Sequence, residues 1–426
     1  MRKFLALPLV FAAAATLWAQ HVPAPAGPQV QPVLISGATA HLGNGQVIEH
    51  SLVAFEDGKI TFVGQINVGR GFPGHRVIEA TGMHLYPGLI ATNTSLGLTE
   101  IGAVRATRDQ AETGSLNPNV RALIAYNTDS EILPTVRSMG VLLAQITPGG
   151  GTISGKSSVV QLDAWNWEDA AYRADEGIHL NWPNRFRFRF RSRRVEKNKD
   201  YDKEVRELNA FFAEARAYLQ TPDPETTNLK FEAMRGLFEG STTLYIHADL
   251  ASEIEEAVEF ARGFHITPVI VGGRESWMVA DFLAENAVPV ILEGTQNLPR
   301  LPDEDIDQPF KTPALLQEAG VLFAIAGEGN WAQRNLPFQA GQAVPYGLEP
   351  EQALQAITLN PARILGIADR TGTIEVGKDA NLILCEGDLL DMRSSKVRHA
   401  FIQGREINLD NKQEMLYRKF KSKYGQ

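Results

Sequence analysis

Cysteine is nearly absent from this chain: Cys385 is the only one in 426 residues, so no internal disulfide can form. A domain of this size needs no covalent staple, because burial rises with length and its core suffices. Cys385 sits in the strand-like run Ala380–Cys385, which reads as a buried, inert thiol. There is no excess of basic residues either. The formal net charge is −9, which argues against a nucleic-acid footprint, since that needs a basic surface. After the first nineteen residues no apolar run is long enough to span a bilayer.

Those nineteen residues are a separate element. Arg2-Lys3 precede an apolar stretch from Phe4 to Leu17 and small residues up to Ala19. This is the layout of a secretory signal cleaved after Ala19, so the chain is expected to be exported, periplasmic or secreted. No cysteine follows to take a lipid, and residues 20–32 are proline-rich and read as an extended linker.

What is present falls into two textures. Val33-Leu34-Ile35, Ser51–Phe55 and Lys59–Val63 are short strand-like runs. Gly43-Asn44-Gly45 and Glu56-Asp57-Gly58 separate them, and Asn, Asp and Gly tolerate the positive φ of tight turns. From Pro87-Gly88 onward, strands alternate with helices. Buried strands are expected at Gly88–Ser95, Gly140–Ile146, Ser157–Leu162, Thr242–His247, Thr267–Gly272, Val288–Leu292 and Val321–Ala326. An eighth is placed at Gly177–Trp182. The intervening helix Leu250–Arg262 carries Ile254, Ala257, Val258 and Ala261 at helical spacing. Repeated βα units imply a parallel sheet, and about 250 residues suit a (β/α)8 barrel, with an open doubly wound sheet as the alternative.

The expected organisation is therefore a composite β-sandwich from residues 33–85 and 371–411 around a barrel at 86–370, with an insertion at about 183–235 and a basic tail at 412–426. In the insertion, Arg185–Arg191 alternates Arg with Phe before a charged helix from Asp202 to about Leu219. It reads either as a solvated cover over the barrel mouth or as an edge for anions or partners. Pro148–Gly151 is glycine-rich, and Gly150 to Ser157 spells a phosphate-binding loop. Such a loop must open a helix, whereas Ser158-Val159-Val160 continues as a strand, so nucleotide binding is not expected.

Three stretches carry a family resemblance. The first is Asp57-Gly58-Lys59-Ile60 with Val63-Gly64, then Tyr86-Pro87-Gly88-Leu89-Ile90. The second is Gly347–Leu354 with Thr358, Asn360-Pro361-Ala362 and Leu365-Gly366, and the third is Gly372–Leu382. In this order they resemble the amidohydrolase superfamily, in particular its imidazolonepropionase-like branch. The resemblance implies a (β/α)8 barrel flanked by a small β-sandwich, hydrolysis of C–N bonds in amides or cyclic amides, and a zinc-like divalent ion that activates water. The implied ligands are a His-x-His pair on strand one, a modified lysine on strand four, histidines on strands five and six, and an aspartate on strand eight, at the strands' C-terminal ends.

This chain departs from that set. The first pair falls on Asn93 and Ser95, the strand-six position on glycine in Val269–Gly273, and the strand-eight aspartate on Gly329, beside Glu328. His247 stands where the strand-five histidine belongs, and His179 lies in the weakest strand. One imidazole does not hold a catalytic divalent ion, which takes about three protein ligands. Acidic groups at strand ends, among them Glu100, Asp249, Glu275, Glu293 and Glu328, could build a different site. Three functions stay open: an altered hydrolase, an inactive barrel that binds a small-molecule or peptide ligand or partners an active paralogous subunit or another copy, and a surface interaction module.

Overall fold

The computed structural model describes residues 23–425 apart from 66–70, 190–193, 223 and 299–303. The signal segment expected at 1–19 lies outside the described residues, as does the start of the linker. Residues 23–32 form no helix or strand, yet they are tied down: the Ala26 N–H donates to Asp163, and the Gln29 side chain accepts from the Gly58 N–H.

Both ends of the chain build the β-rich part. One sheet has the order Lys59–Gln65, Ser51–Glu56, Val33–Ser36, Arg76–Glu79. The other runs Arg405–Glu406, Lys396–Ile402, Leu382–Glu386, Met83–Pro87, Thr39–His41, Val47–Ile48. Their inner faces share one buried cluster that includes Ile35, Phe55, Leu85, Leu384 and Phe401. Glu56 pairs with Lys59 across Asp57 and Gly58, both at positive φ, the geometry of a tight hairpin that follows the strand twist.

Pro87-Gly88 carries the chain from the sandwich into the barrel. A Cβ at Gly88 would lie 2.6 Å from Leu142, so only glycine lets the two strands approach here. Eight strands then form one sheet. In chain order they are Leu89–Thr94, Val141–Ile146, Ile153–Gln161, Ala171–Asn181, Thr243–Ala248, Val269–Gly272, Val290–Glu293 and Phe323–Ala326, and their spatial order is the same. Below they are called barrel strands one to eight. The last approaches the first to nearly close the barrel. The seam is bridged by the chain after the helix Pro350–Gln355: the Ile90 N–H donates to Ile357 O, and the Ile325 N–H donates to Ala356 O.

The sequence predicts parallel strands throughout, and strand three departs from this. Ile153–Gln161 runs antiparallel to both neighbours. A parallel crossover needs about a dozen residues, and the link from Ile146 to Ile153 is far shorter, so the chain must turn back as a hairpin. Strand four starts at Ala171, earlier than the apolar run shows, because its first half carries Arg173, Asp175 and Glu176.

Inside the barrel, Ile90, Leu143, Val159, Tyr245, Val271, Ile291 and Ala324 pack together. A larger cluster on the outer face receives the helices, including Ile254, Ala257 and Val258 of Ala251–Gly263. The interior leaves little slack. A Cβ on Gly177 would lie 2.1 Å from the ring of Tyr245, which is fully buried. Gly177→Ala is therefore expected to lower stability by about 1–3 kcal/mol, the usual cost of overfilling a packed core. Thermal unfolding checks this, and an unchanged Tm would contradict it.

The insertion holds the hairpin Phe186–Arg189 with Arg194–Lys197 and the helix Tyr201–Gln220. Arg187 pairs with Glu204 of that helix, and Arg185 with Glu256 on the barrel helix. Lys156 and Ser157 lie within strand three, which is no setting for a phosphate loop.

Candidate functional site

Strand one reaches the barrel mouth through a bulge. Its register passes from Ala91↔Ala144 to Thr94↔Ile146, so one extra residue is inserted, and Asn93 takes φ +49°. The bulge breaks the simple alternation that would put Ala91, Asn93 and Ser95 on one face. Asn93 turns to the polar interior: its N–H donates to Gln145 Oε1 at 3.0 Å and its Nδ2 to Glu293 Oε1 at 2.5 Å. Ser95 lies past the strand, where its carbonyl accepts from the Leu98 and Thr99 N–H groups.

Strands four and five place two imidazoles against each other. His179 pairs in register with Tyr245 and stacks on its ring, centroids 4.6 Å apart and planes 10° apart. His179 Nδ1 and His247 Nε2 are 3.0 Å apart, so one donates and the other accepts. Burial disfavours the imidazolium form of both. It pushes His247 down to about 4 and His179 well below the usual range, and the neighbouring His247 lowers His179 further. Both rings are neutral at pH 7. His179 Nε2 is buried without a hydrogen-bond partner.

Beneath this pair lies a polar layer that sequence reasoning missed. Glu176 is fully buried and accepts from Ser157 Oγ at 2.5 Å, Gln145 Nε2 at 2.8 Å and Tyr245 OH at 2.8 Å. Burial raises its carboxyl above the usual range, against the pull of these three donors. The available signal was a carboxylate directly before the Gly177–Leu180 run, at a position where a core strand tolerates a charge only with partners.

Past the ends of strands five to eight, a cleft of about 90 Å³ is lined by Asp249, Arg274, Glu293, Thr295, Asn297 and Glu328 among others, and neither imidazole is part of its wall. Asn297 Nδ2 donates to Glu328 Oε1 at 3.1 Å and to the carbonyl of Glu293. Two more expected acids lie elsewhere. Glu100 is half-buried beside Ser130, where burial raises its pKa. Glu275 Oε2 accepts from the Ala251 N–H at the start of a helix.

The end of strand six is unfavourable for a side chain. Gly272 has φ +94°, and a Cβ there would lie 2.8 Å from Asp249 Oδ1. At the strand-eight end, the Gly329 carbonyl accepts from Thr94 Oγ1 at 2.7 Å and Gln333 Nε2 at 2.9 Å, which seals the seam to strand one. Glu328 is exposed.

With this geometry in view, the comparisons with known proteins are specific. The sequence model of the amidohydrolase family matches residues 189–407, about half of the chain, and the protein belongs to that family. Within it, the matches point to the imidazolonepropionase-like branch. Imidazolonepropionase from Thermoplasma volcanium is 34% identical over 86 residues, 20% of this chain and 21% of that protein. Its counterpart from Flavobacterium psychrophilum is 25% identical over 182 residues, 36% of this chain and 44% of that one. The chain thus spans less than half the length of these curated relatives in the matched regions. The crystal structure of an amidohydrolase from Thermotoga maritima MSB8 superposes with a TM-score of 0.75 at 25% identity, covering 88% of this chain and 99% of that one.

Among the described residues, no three His, Cys, Asp or Glu side chains form a group that could hold a metal ion. Several of the mouth's polar groups pair with one another, Asn93 with Glu293, Asn297 with Glu328 and His179 with His247, while His179 Nε2 stays without a partner.

Proposed function

We propose that this protein is an exported hydrolase of C–N bonds in small amides or cyclic amides, working at the barrel mouth without the family's standard metal ligands. The observation that carries this reading is the His179–His247 pair at adjacent strand ends. Two neutral imidazoles there can take up or pass a proton at pH 7, next to the strand end that leads to Asp249 and the cleft. Arg274 and the Asn297 amide supply donors for a polar ligand, while Leu292, Leu298 and Pro309 supply its apolar wall. The signal layout at residues 1–19 supports export, so the substrate belongs outside the cytoplasm.

A second reading is favoured by the mutual pairing of the mouth's side chains and the crowded position at Gly272. It is an inactive barrel that captures an amide-containing ligand or serves an active paralogous subunit.

The test couples metal analysis of purified protein to turnover of linear and cyclic amides, with and without added zinc or manganese. The expected result is substoichiometric metal and chelator-insensitive turnover that falls about 10²-fold or more in His247→Ala. Stoichiometric metal that is lost in His247→Ala would sink the proposal. Ligand-induced stabilisation without turnover would establish the inactive barrel instead.

A further inference from the structure

The helix Lys412–Tyr424 has no buried residue. Its beginning is attached to the body, and Arg418 pairs with Asp410 just before the helix. Asn411 caps it by accepting from the Glu414 N–H and also reaches Ser138, Thr135 donates to Gln413, and Lys412 lies 3.9 Å from Glu131. From Met415 to Gly425 every residue is exposed, including Leu416, Tyr417, Phe420 and Tyr424. Apolar side chains of this size left on one short helix call for a partner.

Their arrangement is ordered. At about 100° per residue, Leu416, Phe420, Tyr424 and Tyr417 fall within one arc of about 100°. Lys412, Lys419 and Lys423 border one edge of this arc, and Lys421 borders the other. The helix holds Lys412, Arg418, Lys419, Lys421 and Lys423 against Glu414 alone, a net charge of +4. The whole chain is at −9, so the remainder stands at −13 and the positive charge is concentrated in this segment.

We infer that this helix docks the protein on an anionic phospholipid surface. A helix that lies in a bilayer interface has this design: a narrow apolar arc that enters the headgroup region and lysines along its borders that reach anionic headgroups. Tyrosine suits that depth, with an apolar ring and a polar tip. The helix lies parallel to the surface rather than across it; among the described residues no helix is long and apolar enough to span a membrane. A second copy of this chain is the competing occupant, because the groove lined by Trp182, Tyr201, Val205 and Phe260 also carries Asp202, Glu256 and Glu259. Lysines along both borders of the arc favour an extended anionic surface over a single groove.

The experiment is co-sedimentation of the chain from Gln20 onward with vesicles of phosphatidylcholine alone or mixed with phosphatidylglycerol, at low and at physiological salt. Binding is expected only to the anionic vesicles and to weaken as salt rises. Lys419→Ala and Lys423→Ala should each lower partitioning about fivefold. Phe420→Ala with Tyr424→Ala should abolish it, and all these variants should keep the parent's Tm because the side chains are exposed. Absence of binding to anionic vesicles, equal binding to both compositions, or binding indifferent to these substitutions overturns the inference. Sedimentation of a dimer in solution that Phe420→Ala dissociates also overturns it, in favour of self-association.

Discussion

Replacing Asp163 with alanine is expected to cost about 3–5 kcal/mol of folding stability, the largest single effect foreseen for this protein. Asp163 follows strand three and is fully buried. One carboxylate oxygen accepts from Arg137, which is itself 3% exposed; the other accepts from Arg405 at 3.1 Å and from the Ala26 N–H at 2.8 Å. Three pieces meet there: the helix Leu133–Arg137 on the barrel, the sandwich strand Arg405–Glu406, and the segment leading in from the N-terminal side. Without Asp163, the Arg137 guanidinium stays buried with only the Leu162 carbonyl to accept from it. Burial already works against that charge, and Asp163 is what offsets it. Asp163→Asn should lose nearly as much, because the amide keeps the volume and removes the charge. Asp163→Leu combined with Arg137→Met should recover only part of the loss, since it removes the buried Arg137 charge but leaves Arg405 and the Ala26 N–H without their carboxylate partner. Urea unfolding of the parent and the three variants measures this. A loss below about 1 kcal/mol for Asp163→Ala would show that the site is wetter than its burial indicates.

The second large effect concerns acid. For metal-free protein, the folded-state pKa of His247 is about 4 against 6.5 for the unfolded chain. Between those values the unfolded chain binds the proton that the folded protein refuses, so stability rises with pH through this window and is lost as pH falls from about 6.5 to 4. The gap corresponds to about 3 kcal/mol at most. His179, lowered by the same burial, adds to the loss at the lower end. His247→Gln should remove its share, so the difference in stability between parent and variant should shrink by about 3 kcal/mol across the window. Denaturant midpoints at half-unit pH steps give both curves. Parallel curves would mean that His247 titrates as it does in solvent.

These two sites differ in how visible they were beforehand. The barrel strands Val141–Ile146, Thr243–Ala248 and Val269–Gly272 show as largely apolar runs, because a strand buried on both faces is apolar at most positions. Strand four hid because Glu176 and Arg173 break its run. Their burial is tolerated only through Ser157, Gln145, Tyr245 and the carbonyls of Leu365 and Gly366, all of them outside strand four. The reversed direction of strand three was equally hidden. A hydrophobic period has no polarity, and only the short link before Ile153 reports the turn back.

Around the mouth, the positions that the resemblance assigns to ligands, Asn93, Ser95, a glycine in Val269–Gly273 and Gly329, are expectations read from motif spacing, because a ligand is a residue type at a motif position. The composite sandwich can be read directly, because its turn glycines and apolar runs are local properties of the chain. What closure of the barrel alone decides is pairing. The bulge at Asn93 aims its amide at Glu293, two hundred residues away in sequence, and adjacent strand ends set His179 against His247. Gly272 likewise proves to be a position where Asp249 leaves little room for a side chain, rather than merely one where the resemblance places a histidine. Local sequence specifies which atoms are available and how each segment bends. Which of them meet depends on the register of strands far apart in the chain, and that register is settled by packing the whole barrel at once.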